Sequence, residues 1–99
     1  MGNEVVMESE KLFSNIDDFR AELKHKNITK LVFAETKEYR AKQVEEGRLE
    51  CVMPIVRLEL LAYKDAVLYK CSMKDVDLDA VYLMLTEDFE VTRRSRNIT

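Results

Sequence analysis

Residues 55–73, IVRLELLAYKDAVLYKCSM, sort by parity, and this constrains the fold more than any other stretch. Folding them about Lys64-Asp65 pairs Ala62 with Val67, Leu60 with Tyr69, Leu58 with Cys71 and Val56 with Met73, a wholly apolar face. The other face pairs Tyr63 with Ala66, Leu61 with Leu68, Glu59 with Lys70 and Arg57 with Ser72. An apolar set repeating every second residue marks strands that bury one face on a core. Lys-Asp is not a favoured two-residue turn, so a four-residue loop in the same register is the alternative.

The preceding stretch, YRAKQVEEGRLECVM over 39–53, reads as a second hairpin rather than a charged helix. Glu45-Glu46-Gly47 form its loop, with Gly47 supplying the left-handed residue. Val44 then meets Arg48, Lys42 meets Glu50, Gln43 meets Leu49, Ala41 meets Cys51 and Tyr39 meets Met53. Lys42 and Glu50 form an opposite-charge cross-strand pair. The two hairpins disagree in parity by one residue, which predicts a bulge or bend at Met53-Pro54-Ile55, where proline cannot donate to a ladder. The same register keeps the two cysteines apart. Cys71 lies opposite Leu58, seven residues from Cys51, or roughly 20 Å along an extended strand. A disulfide needs Cα atoms within about 7 Å, so two buried free thiols are expected.

Helical periodicity appears on either side of the hairpins. SNIDDFRAELKHKN carries Ile16, Phe19 and Leu23 on one stripe, and Leu12 extends that stripe backwards. Asn15 caps this helix, Asp17 and Asp18 meet the positive end of its dipole, and Lys24, His25 and Lys26 meet the negative end. Asn27 stops it in the left-handed conformation. DLDAVYLMLTE, 77–87, is a second helix with Leu78, Val81, Tyr82 and Leu85 inward. KLVFAE, 30–35, reads as a central strand covered on both faces, and FEVTRR, 89–94, as a last strand with Phe89 and Val91 inward. NEVVME, 3–8, is a candidate first strand, and residues 95–99 are expected to fray.

Together these elements predict one α+β domain over 1–99: a mainly antiparallel sheet of five or six strands with two helices, in the order (β)αββββαβ. A ferredoxin-like arrangement with an added hairpin is one alternative. With 46% apolar and 35% charged residues the chain suits a folded, soluble protein. A net charge of −3 disfavours wholesale nucleic-acid binding. No run of 18 apolar residues exists to span a membrane, and MGNEVVMESE has no basic or apolar signal-peptide region, which places the protein in the cytoplasm.

Four features carry candidate chemistry. Asp75, Asp77 and Asp79 show the alternate spacing that opens many calcium loops. Position 6 of such a loop would be Ala80 rather than glycine, and position 12 would be Thr86 rather than glutamate, so an EF-hand is excluded. The local reading makes Asp77 an N-cap, Asp79 a first-turn acid, and Val76 with Val81 a hydrophobic staple. It leaves Asp75 unexplained, and a looser Ca2+ or Mg2+ site at Asp75, Asp77 and Asp79 stands as the alternative; otherwise no cofactor is expected. Arg93, Arg94 and Arg96 can hold an anion or a nucleic-acid backbone, or protect an edge strand by charge. His25, the only histidine, has no nucleophile placed beside it, and no catalytic spacing appears elsewhere. If both helices cover one sheet face, Leu61, Tyr63 and Leu68 lie exposed on the other, as an interface does. The leading expectation is a non-catalytic interaction protein that self-associates or joins a larger assembly. A divalent-cation-binding protein is its rival.

Overall fold

The computed structural model describes residues 9–39, 41–43, 47, 49–51 and 54–98. Elements follow in the order β1 (Ser9–Phe13), α1 (Ile16–His25), β2 (Lys30–Glu38), β3 (Ala41–Gln43), β4 (Leu49–Cys51), β5 (Ile55–Lys64), β6 (Val67–Lys74), α2 (Leu78–Thr86) and β7 (Glu90–Ile98). The candidate strand at 3–8 lies outside the described residues.

Both helices form for the local reasons their sequences carry. Asn15 Oδ1 accepts from the Asp17 and Asp18 amides at 2.7 and 3.3 Å. At the other end Asn27 takes φ 58°, its amide donates to Lys24 O at 3.1 Å, and the Ile28 amide donates to Leu23 O at 2.8 Å. That bond pair is a Schellman closure, sealed by the buried side chains of Leu23 and Ile28. In α2, Asp77 Oδ1 accepts from the Ala80 amide at 3.2 Å, and Val76 and Val81 pack against the core. Leu12 does not extend α1; it belongs to β1 and is 71% exposed.

The main sheet has five strands in the order β1-β6-β5-β2-β7. It is mixed rather than mainly antiparallel. β5 runs antiparallel to both neighbours, whereas β1 pairs parallel with β6 and β2 parallel with β7. The cause is the two helices. Each stands between strands that run in the same direction, so β1-α1-β2 and β6-α2-β7 are crossovers, and each places a strand at an edge. This order also excludes the ferredoxin-like alternative.

The long hairpin keeps its two faces but turns one residue later than expected. Lys64 pairs with Val67, Tyr63 with Leu68 and Leu60 with Cys71. The loop is Asp65-Ala66, with φ 53° and 63°. Two consecutive left-handed residues make a type I′ turn, whose twist matches the strands, and aspartate tolerates its first position. Glu59 and Lys70, expected opposite each other, now bridge diagonally at 3.7 Å.

The short hairpin has the expected register, Ala41↔Cys51, Lys42↔Glu50 and Gln43↔Leu49, and Gly47 has φ 74°. It forms a two-stranded sheet of its own, and Pro54 stands outside any strand between the two sheets. The parity conflict is thus resolved by separating the hairpins. The Val44–Arg48 and Tyr39–Met53 pairs, Glu45, Glu46 and the Met53 part of the bend lie outside the described residues.

One cluster forms the core. Phe19 and Leu23 of α1, Leu31 and Phe33 of β2, Leu58 and Leu60 of β5, Tyr69 and Cys71 of β6 and Leu85 of α2 are all buried in it. α1 packs on β1 and β6, and α2 on β7. Rings meet edge to face between Phe13 and Phe19, at 5.7 Å, and between Phe33 and Tyr82, at 5.5 Å. Both helices therefore lie on one face. β2 alternates, with Leu31, Phe33 and Glu35 buried and Val32, Ala34 and Thr36 half-buried. It is not covered on both sides. Residues 95–98, expected to fray, continue β7 against β2 as far as Glu38↔Ile98.

Candidate interaction surface

Glu35 occupies an inward position of β2, between core side chains, and is 5% exposed. A carboxylate there needs partners. Arg93 of β7 supplies them: Nε donates to Oε1 at 2.8 Å and Nη2 to Oε2 at 3.2 Å. The Ser95 hydroxyl also donates to Oε1. Arg93 Nη2 reaches Asp79 Oδ1 at 3.1 Å, tying β7 to the first turn of α2. Its guanidinium lies over the rings of Phe33 and Tyr82, 5.2 and 4.9 Å from their centroids. The Arg93 hydrogen bonds hold the Glu35 carboxyl below its usual range against the opposing effect of burial, with Ser95 helping. The same bonds push the Arg93 guanidinium further up. A carboxylate so stabilised is a poor base, and Ser95 gains no activation from it. This cluster is a structural clamp.

The remaining reactive groups fall to similar roles. Cys71 is a free, fully buried thiol, pushed up by its burial, and such a thiol is a weak nucleophile. Cys51 belongs to the separate two-stranded sheet. His25 sits exposed in the last turn of α1, near a shallow hollow where Lys11 and Glu22 bridge at 3.0 Å. Asp88 joins the helices by accepting Arg20 at 2.8 Å and Lys24 at 3.1 Å.

The three aspartates separate by function. Asp77 caps α2, and Asp79 bridges to Arg93. Asp75 takes φ 54°, and its amide donates to Val56 O at 3.0 Å. Aspartate is among the few residues that tolerate this left-handed conformation, so its identity follows from the exit of β6. Among the described residues, no three His, Cys, Asp or Glu side chains gather closely enough to hold a metal ion.

The three arginines also divide. Arg93 points to the helix side, paired in register with Phe33. Arg94 and Arg96, in register with Ala34 and Thr36, point to the side without helices. That side is an open face. Lys70, Leu61, Val32 and Thr92 run across it in one row, continued on β1 by Leu12. Leu68 and Tyr63 pair in the row beside it. Tyr63 is 52% exposed, and Leu61, Leu68 and Val32 are half-buried with, among the described residues, no helix above them. A hollow of about 270 Å³ lies among Val32, Leu61, Tyr63, Leu68 and Thr92. The structure thus brings Leu61, Tyr63 and Leu68 together on one uncovered surface. The spread of that surface onto Val32 and Leu12 is not visible in the hairpin's own sequence, because it depends on which strands flank the hairpin.

No family model, curated protein or solved structure matches this chain. Among the described residues no helix is long and apolar enough to cross a membrane.

Proposed function

We propose that this is a non-catalytic interaction protein of the cytoplasm that self-associates through the open face of its sheet. The observation that supports it is the one-sided placement of the helices, which leaves Leu61, Tyr63, Leu68 and Val32 contiguous and uncovered. A second copy suits this face. A two-fold axis lying in the interface across the Leu61–Val32–Thr92 row exchanges the rows on either side of it. Glu90 then opposes Arg94, an opposite-charge pair, and Tyr63 opposes Glu59, while Leu61, Val32 and Thr92 pack on their own copies and Lys70, held by Glu59, ends the row. The edges are less suited to the same task. An antiparallel pairing of β7 with a second β7 brings Arg93, Arg94 and Arg96 of both copies together, and like charges so placed oppose it. The absence of activation at Ser95, and the burial of Cys71, support the non-catalytic part of the reading. Light scattering on the wild type and on Leu61→Arg tests the self-association.

A further inference from the structure

Lys74, Arg57, Thr36 and Arg96 stand in register across β6, β5, β2 and β7, on the open face. The neighbouring row is Ser72, Glu59, Ala34 and Arg94. Four cations from three distant segments therefore share one end of the face, spanning about 14 Å between Lys74 and Arg96 at normal strand spacing. All four are exposed, and among the described residues none of them is in an ion pair. Four other cations on the sheet are matched, Lys30 by Glu90, Lys70 by Glu59, Arg93 by Glu35 and Lys11 by Glu22, and Lys64 donates to the backbone oxygen of Lys26.

Edge protection accounts for Arg94 and Arg96 but not for Arg57. β5 is flanked by strands on both sides and has no edge to protect. Arg57 also lies directly opposite Lys74, a like-charge pair that opposes the pairing of β5 and β6 unless an anion sits between them. The hydroxyls of Thr36 and Ser72 stand among the cations, and this mixture of basic and hydroxyl donors is what phosphodiesters take. Glu59, the acid within the two rows, is held by Lys70. Glu38 flanks the next row.

We propose that Arg57, Lys74, Arg94 and Arg96 bind the backbone of a single-stranded nucleic acid laid across the open face. A duplex fits less well, because the four cations stand on the face of a five-stranded sheet, with no helix among them to enter a groove. A single strand can lie across the rows and present successive phosphates to successive cations. The inference does not rest on self-association; the two compete for part of the face, because Arg94 and Glu59 lie in the row beside Leu61, Val32 and Thr92.

Fluorescence anisotropy of a labelled oligothymidylate, titrated with the full chain over a salt series, tests this. Binding at low salt is expected, with log K falling against log salt at a slope of about −3 for four phosphate contacts to a single strand. Arg57→Ala and Arg96→Ala each flatten the slope by about 0.7. The double variant Arg57→Glu, Arg96→Glu, with an unchanged circular dichroism spectrum, lowers affinity about tenfold or more. Absence of binding at low salt, equal binding by the double variant, or preferential binding of duplex DNA or of anionic phosphatidylserine vesicles overturns the proposal.

Discussion

Arg93 grips Glu35 with both arms of its guanidinium, Nε at 2.8 Å from Oε1 and Nη2 at 3.2 Å from Oε2. The two residues sit on neighbouring parallel strands and are 58 positions apart in the chain. Removing Arg93 leaves a carboxylate that is 5% exposed without its counter-charge. Breaking a fully buried pair costs about 3–5 kcal/mol. Arg93 is itself about one-third open to solvent, which reduces the expected loss for Arg93→Ala to about 2 kcal/mol. Urea unfolding followed by circular dichroism measures it. Arg93→Lys, which keeps the charge but not the fork, recovers only part of the loss.

Acid should unfold the protein through the same group. The folded pKa of Glu35 is depressed, chiefly by the Arg93 hydrogen bonds, and that of Asp88 is depressed by its bonds to Arg20 and Lys24. A depressed carboxylate contributes stability that is complete above its unfolded pKa, roughly 4.3 for glutamate. The contribution is lost as pH falls from there through the folded value. Stability is thus expected to be flat from neutral pH to about 5 and to drop below it. In Arg93→Ala the largest part of the Glu35 contribution is already gone, so the drop on acidification is shallower than in the wild type. Thermal melts from pH 3 to pH 7 distinguish the two profiles.

Asp75 tests whether the acidic triplet is conformational. At φ 54° a β-branched residue is strained and glycine is not. Asp75→Gly is expected to leave the melting temperature unchanged or slightly raised, and Asp75→Val to cost about 1–2 kcal/mol. Asp77→Ala removes the cap on the Ala80 amide and costs about 1 kcal/mol. A loss in Asp75→Gly as large as that in Asp75→Val would assign the position to its carboxylate instead.

The Asp65-Ala66 turn offers a stabilising change. Ala66 carries φ 63° at the second position of a type I′ turn, where glycine is favoured. Ala66→Gly should raise stability by about 0.5–1 kcal/mol, because the left-handed strain of alanine exceeds the entropy cost of glycine. Denaturant midpoints of the two proteins settle the sign.

What could be read from the residues alone follows the range of the interactions. Asn15, Asp77 and Asn27 act within a few positions of themselves, so both helices and their ends are legible. The short hairpin's register is legible because charge pairing and Gly47 agree on it. The long hairpin slips by one turn position because its face pattern is equally satisfied by either loop, and only the left-handed pair at Asp65 and Ala66 selects one. The parallel pairs β1–β6 and β2–β7 rest on crossovers whose ends meet far apart in sequence, and no local pattern encodes them. Glu35 did leave a trace: it stands at the inward parity of Leu31 and Phe33, where an acid requires a cation. Which cation depends on β7 lying beside β2. The open face carrying Leu61, Tyr63 and Leu68 was conditional on both helices choosing one side, and tertiary packing supplies that condition.

Self-association through that face is tested most directly by light scattering coupled to size exclusion, over a rising protein concentration. The chain weighs 11.6 kDa. The account predicts a mass that climbs toward twice that value for the wild type, and a mass that stays at the single-chain value for Leu61→Arg with an unchanged circular dichroism spectrum. A wild type that remains a single chain at millimolar concentration, or a Leu61→Arg variant that associates as the wild type does, would contradict it.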